Sequence, residues 1–365
     1  GTTINSTSTS ALTTISGGVT GTGNLTLNAN NATGTGGITI STTSVNNIST
    51  VTNSGSGIGT TTISGGIGSN VTTINENSST SALTISTTAI TVNSGGTTIN
   101  STSTSALTTI SGGVTGTGNI TFNANSTGAI TASTTTLNNT GTITNSGASS
   151  GLMTINAVIG ANVTGVTQNS STSQLVLSGA NTFTGGLTIK AGTVSGTTSA
   201  NAFGAGTITL GDSVANSSAV TLKGDGRTFA NPIVLADIAN ATGTITIGAS
   251  TITTTVFSGG VTGTNNLVLN STGGAYPLTL STTAINNAGT ITNSGTGTGT
   301  TTISAVIDAS VTGVTQNSST SQLVLSGTNT YTCLTTVSAG VLNIQNVFAT
   351  GTSAGGVTVT SGAAL

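Results

Sequence analysis

Seventeen residues, VTGVTQNSSTSQLVLSG from Val163 to Gly179, recur unchanged from Val311 to Gly327, and Gly1 to Asn24 recurs at Gly96 to Asn119. A single globular core gives each segment different neighbours and has little use for identical copies. A stack of coils does have a use for them, because each unit has to fit only the units above and below it.

The residue types agree with such a stack. Thr, Ile, Val and Ala fit a pleated surface, while Glu, Lys, Arg, Gln and Met, the common helix formers, are scarce. Apolar pairs separated by one residue recur throughout, as in Leu25/Leu27, Leu83/Ile85, Ile120/Phe122 and Leu278/Leu280. This alternation buries one face of a strand and leaves Thr and Ser on the other. Between the pairs lie Gly, Asn, Ser and Thr, with Gly or Asn expected at positive backbone angles. The corners at Asn138 to Gly147 (NNTGTITNSG) and Asn286 to Gly295 (NNAGTITNSG) are expected to stack their Asn side chains as ladders.

Three long copies can be superimposed, at about residues 16–86, 111–191 and 258–339. The second and third are offset by 148 residues, the first and third by 240 from Ser41 onward, and the first and second by 95 at their start. Coils of about 24 residues divide these offsets evenly, with two strand starts per coil; coils of about 18 to 19 residues also divide them. The run Ile208/Leu210, Val220/Leu222, Ile233/Leu235, Ile245/Ile247 has a rhythm of about 12 residues and favours the longer coil. The expected fold is therefore all-β, a parallel β-helix (β-solenoid) continuous over residues 1–365. Gly1 falls inside a repeat copy, so the chain is expected to be a fragment or processed unit of a longer protein.

Charge excludes several functions. The 365 residues include three Lys or Arg, five Asp or Glu and no His. No basic patch for nucleic acid can be assembled from so few cations. Without His, the common nucleophile and base pairs lack their base, and the abundant Ser has no activating partner. No apolar run approaches the roughly 18 to 20 residues of a membrane-spanning helix.

Glu76 aligns with Gln168 and Gln316, and Asp308 with Gly68 and Gly160, so both read as solvated turn residues. Lys190, Asp212, Lys223, Asp225, Arg227 and Asp237 cluster within one stretch. Either Asp212, Asp225 and Asp237 form a calcium or polysaccharide site on one wall, or KGDGR is a turn with local ion pairing. Cys333 is the single cysteine, which leaves only an intermolecular bridge open to it.

Leu177 to Val194 reads LSGANTFTGGLTIKAGTV, and Leu325 to Leu342 reads LSGTNTYTCLTTVSAGVL. Both resemble the autotransporter-associated β-strand repeat, or passenger-associated transport repeat, whose rhythm is LSG, any residue, NTYTG, a TT-apolar strand and AG-any-Leu. The first departs at Leu187, and the second has Cys333 and Leu334 where Gly is usual. GDGRTFANPIVL at Gly224 to Leu235 resembles sequence common between such repeats. The resemblance implies a right-handed parallel β-helix in a secreted protein of the bacterial cell surface or extracellular matrix, with no catalytic residues and no cofactor. The expected role is structural: part of a surface fibre, sheath or adhesive stalk that associates with itself axially or laterally. A carbohydrate-binding adhesin is the alternative. Polysaccharide degradation lacks convergent carboxylates, and ice binding lacks a fixed Thr period.

Overall fold

In a strand with one buried face, the inward positions of successive coils must meet at the same height. Pairing register therefore fixes coil length. The computed structural model describes residues 1–212, 218–236, 243–271 and 273–365. Contacts divide the chain into two units, Gly1–Gly185 and Gly186–Leu365. Every strand pairing described within either unit is parallel, and the described residues contain no helix.

In the first unit each coil contributes to three walls. The first wall stacks Leu25–Ala29, Ser49–Asn53, Val71–Glu76, Thr97–Ser101, Ile120–Ala124 and Gly141–Asn145. The second stacks Gly37–Ile40, Thr61–Ile63, Leu83–Ile85, Thr108–Ile110, Ile130–Ala132 and Met153–Ile155. The third is narrower: Val45–Asn47 and Ile90–Val92 are joined through a single bridging residue, Ile67, and Val114–Gly116 continues through Leu137 to Ile159. Three strands per coil replace the two expected from sequence, because the third wall offers one or two inward side chains and no alternation to read.

Partners such as Leu25↔Val51, Val51↔Ile74 and Ile143↔Val166 lie 22 to 26 residues apart throughout this unit, which selects the longer coil. The inward column Val51, Ile74, Ile99 is fully buried, as are Ile120, Phe122 and Ile143 further along the wall. Burying side chains of this size contributes roughly 1.5 to 3 kcal/mol each. That burial repeats with every coil and offsets the ordering cost of a chain rich in flexible Gly and Ser.

The corners between second and third walls alternate between two solutions. Ser-Thr-Thr at 41–43, 86–88 and 133–135 turns within three residues: Thr43 N–H donates to Ser41 O (2.8 Å), Thr88 N–H to Ser86 O (2.7 Å) and Thr135 N–H to Ser133 O (2.9 Å). The central Thr42, Thr87 and Thr134 take φ of 71°, 65° and 70°. Positive φ on a β-branched residue is strained, and a three-residue turn of this kind is rare. The intervening coils use Ser-Gly-Gly. A Cβ on Gly113 would lie 2.7 Å from Thr136 O and 2.8 Å from the Thr135 methyl of the next coil. Gly66 meets Ala89 O and the Thr88 methyl in the same way, both at 2.8 Å. Each Thr corner thus requires a bare corner beside it.

The second unit repeats the plan. One wall stacks Ile208–Leu210, Ile233–Leu235, Val261–Gly263 and Ile285–Asn287; another stacks Val220–Gly224, Ile245–Ala249, Leu267–Leu269 and Thr290–Asn293. A third runs from Thr228–Phe229 through Thr255–Phe257, Leu278–Leu280 and Thr301–Ile303 to Leu323–Leu325. The 12-residue rhythm comes from the first two walls. Inside the third, Phe203, Phe229 and Phe257 stack with ring centroids 4.6 and 5.4 Å apart, a separation at which aromatic pairs attract.

Candidate functional site

The least expected feature of the interior is polar. On the strand Val71–Glu76, Ile74 and Glu76 share a face, and both are fully buried. Glu76 is therefore no solvated turn residue. Its carboxyl accepts from Asn53 Nδ2 of the preceding coil (2.8 Å) and from the Ser78 N–H (2.8 Å). Desolvation by burial pushes its pKa up to about 7, although the bonds from Asn53 and from the Ser78 and Leu83 N–H groups pull the other way.

The 17-residue copies build the same corner with an amide. Asn145 Nδ2 donates to Gln168 Oε1 (2.8 Å) and Asn293 Nδ2 to Gln316 Oε1 (2.7 Å). Gln168 Nε2 donates to Ser170 O (2.8 Å) and Ser173 O (2.7 Å); Gln316 Nε2 donates to Ser318 O (2.8 Å) and Ser321 O (2.9 Å). Ser170 and Ser318 hydroxyls reach back to Gly147 O and Gly295 O of the preceding coil. Every polar position of the repeated VTGVTQNSSTS that turns inward thus has a bonding task. That accounts for the inward polar positions the two copies share.

The outer walls carry ordered rows. Pairing register aligns Thr39, Thr62, Thr84, Thr109, Thr131 and Thr154 in one column on the second wall. On the first wall Thr50, Thr73, Thr98, Thr121 and Thr144 form another. The sequence showed no fixed Thr period because corners of variable length separate residues that the fold brings into line. Beside the first-wall column, Asn100 Nδ2 donates to Asn75 Oδ1 and Asn123 Nδ2 to Asn100 Oδ1, each at 2.9 Å. Asn ladders do exist, but on a wall. At the expected corners Asn139 and Asn287 instead donate to backbone oxygens, Gly118 O and Asn265 O, both at 2.8 Å.

Asp212 and Asp225, two of the aspartates considered for calcium, are not on one wall. Asp212 follows Ile208–Leu210 and pairs with Lys190 at 3.2 Å, whereas Asp225 follows Val220–Gly224 on a different wall. Asp237 lies outside the described residues. Among the described residues no group of three His, Cys, Asp or Glu side chains could hold a metal ion. Arg227 Nε donates to Thr198 O (3.0 Å), and Gly226 N–H to Thr255 Oγ1 (3.0 Å), which ties the KGDGR turn to its neighbours. Asp308 does sit in a turn, half-buried, accepting from the Ala309 N–H. Cys333 is a free, half-buried thiol, and burial raises its pKa.

The segments LSGANTF and LSGTNTY end a coil in a shared way. Asn181 Oδ1 accepts from Ile159 N–H (2.7 Å) and Asn329 Oδ1 from Ile307 N–H (2.8 Å), which satisfies backbone that a single bridging residue leaves open. Phe183 and Tyr331 enter the core beside them, fully buried, and the Tyr331 hydroxyl bonds Thr335 Oγ1 at 2.8 Å. The passenger-associated-transport-repeat model matches residues 170–195 and 318–344. The chain carries two passenger-associated transport repeats. Each repeat spans the inner Ser corner, the buried Asn and aromatic residue, and the strand that follows. No curated protein and no solved structure matches the chain. The repeats and the β-solenoid fit a passenger domain of an autotransporter, a secreted or surface-exposed protein.

Proposed function

We propose that this chain is a structural part of a bacterial surface fibre, sheath or adhesive stalk and that it acts without catalysis, by associating with further copies of itself. One observation carries the reading. In residues 1–185 the only Asp, Glu, Lys, Arg, His, Tyr or Cys is Glu76, and it is buried, so the outer walls of this unit bear no ionisable side chain. Most soluble proteins keep copies and sheet surfaces apart by charge; these walls have no such repulsion. Sedimentation velocity over a range of concentration and salt tests the proposal. Self-association that grows with concentration and is nearly independent of ionic strength is expected, whereas a monomer at all concentrations, with no fibres on the native cell surface by electron microscopy, would refute it.

The aligned Thr columns favour a second reading, binding of neutral surface carbohydrate through hydroxyls spaced about 4.8 Å apart along the stack. Glycan-array binding that is lost on changing Thr84, Thr109 and Thr131 together to Val supports it; equal binding by that variant removes it.

A further inference from the structure

Glu76 stands where the two equivalent corners hold Gln, and the difference between them lies in the hydrogen-bond donors that the Gln amide carries. Gln168 and Gln316 use their Nε2 to donate to two backbone oxygens of the following turn, at Ser170 and Ser173 and at Ser318 and Ser321. The residues at the corresponding positions after Glu76 are Ser78 and Ser81; there the Ser78 N–H donates to the carboxyl (2.8 Å) and Ser81 O accepts from Asn53 Nδ2 (2.7 Å). A carboxylate offers no donor, and a neutral carboxylic acid offers one.

We propose that Glu76 is a proton-operated lock: as the neutral acid it closes its corner as the Gln residues close theirs, and on losing its proton it loosens the coils at residues 49–85 while the Gln corners stay shut.

The surroundings leave ionised Glu76 without compensation. The strands packed on either side, Ser49–Asn53 and Thr97–Ser101, carry no titratable or charged side chain, nor do Thr61–Ile63 and Leu83–Ile85 of the second wall or the turn through Ser78 and Ser81. The three basic residues, Lys190, Lys223 and Arg227, all belong to the other unit. The donors that reach the carboxyl are Asn53 Nδ2 and backbone N–H groups, all neutral. Full burial with no cation nearby favours the protonated form, against the pull of these neutral donors. Asn53 is itself engaged by Ser81 O (2.7 Å) and by the Thr61 hydroxyl (2.7 Å), so a shift of Glu76 disturbs two walls at once.

The chain contains one Glu, so selective ¹³C labelling of glutamate carboxyl groups gives one titrating signal from the intact protein. Its midpoint is expected near neutrality. Hydrogen exchange, corrected for intrinsic rates, should show amides at 77–85 losing protection by up to roughly 100-fold between pH 5 and pH 8.5. Amides at 169–177 and 317–325 should not change. Glu76→Gln should abolish the loss, and Gln168→Glu should install it at 169–177. A midpoint near 4.5, or pH-dependent loss at 77–85 that persists in Glu76→Gln, would overturn the proposal.

Discussion

Replacing Asn145 by Ala tests whether the buried amide corner holds neighbouring coils together. Asn145 Nδ2 serves Gln168 Oε1 (2.8 Å), Ser173 O (3.0 Å) and Ser173 Oγ (3.2 Å). Without it, Ser173 O keeps its bond from Gln168 Nε2 (2.7 Å), but Gln168 Oε1 loses that donor inside the core. An abandoned buried acceptor costs about 1 to 3 kcal/mol, and the lost bonds about 1 kcal/mol more. The variant should therefore lose about 2 to 4 kcal/mol. Gln168→Leu removes that acceptor but also the other donor to Ser173 O, so the two substitutions should be coupled and not additive. Because coils can open locally, unfolding in guanidinium should be read together with hydrogen exchange resolved along the chain. Losses should concentrate in the coils at 120–177. A cost within about 0.5 kcal/mol of that of the exposed control Asn162→Ala, or strict additivity in the double variant, would refute the reasoning.

Three further outcomes are expected. Gly113→Ala places a Cβ at positive φ against Thr136 O and the Thr135 methyl and should cost about 2 to 4 kcal/mol in denaturant titration, while Gly17→Ala, with open space around it, should be nearly neutral. Stability should fall as pH rises: with Glu76 at about 7 in the folded chain against 4.5 unfolded, its contribution is full below pH 4.5, declines above that and is gone once pH passes 7, a total of about 3 kcal/mol that Glu76→Gln removes from a pH series of unfolding curves. Thermal unfolding in calcium and in chelator should coincide for wild type and for Asp225→Asn, because Asp212 and Asp225 stand on different walls; a calcium-dependent rise in Tm that Asp225→Asn loses would restore the calcium reading.

Parallel walls and coil length were legible because burial on one face forces alternation, and Leu25/Leu27 or Ile208/Leu210 display it directly. The third wall was hidden: Ile67, Leu137 and Ile159 each bridge alone, and one inward residue has no period. The Thr42, Thr87 and Thr134 corners were also illegible, since local preference assigns positive φ to Gly or Asn and only stacking imposes it on Thr. Glu76 was different. The spacing that turns Ile74 inward turns Glu76 inward too, and the Gln at both equivalent positions marks a site where a neutral amide fits; charge alone points Glu76 to solvent, and the parity of the strand overrides it. Asp212 and Asp225 stand apart for a simpler reason: residues about half a coil apart along the chain fall on successive walls, while residues about 23 apart meet in space.

The stacking of coils is most directly tested by cross-linking. Thr109 and Thr131 are outward-facing partners on adjacent coils of the second wall, 22 residues apart in sequence. Neighbouring strands lie about 4.8 Å apart, within the Cα range of a disulfide. In a Cys333→Ser background, Thr109→Cys with Thr131→Cys should oxidise to an intramolecular bridge identified by mass spectrometry, and Thr109→Cys with Thr127→Cys, the spacing of an 18-residue coil, should not. Efficient bridging of the second pair and none of the first would contradict the stacked-coil account.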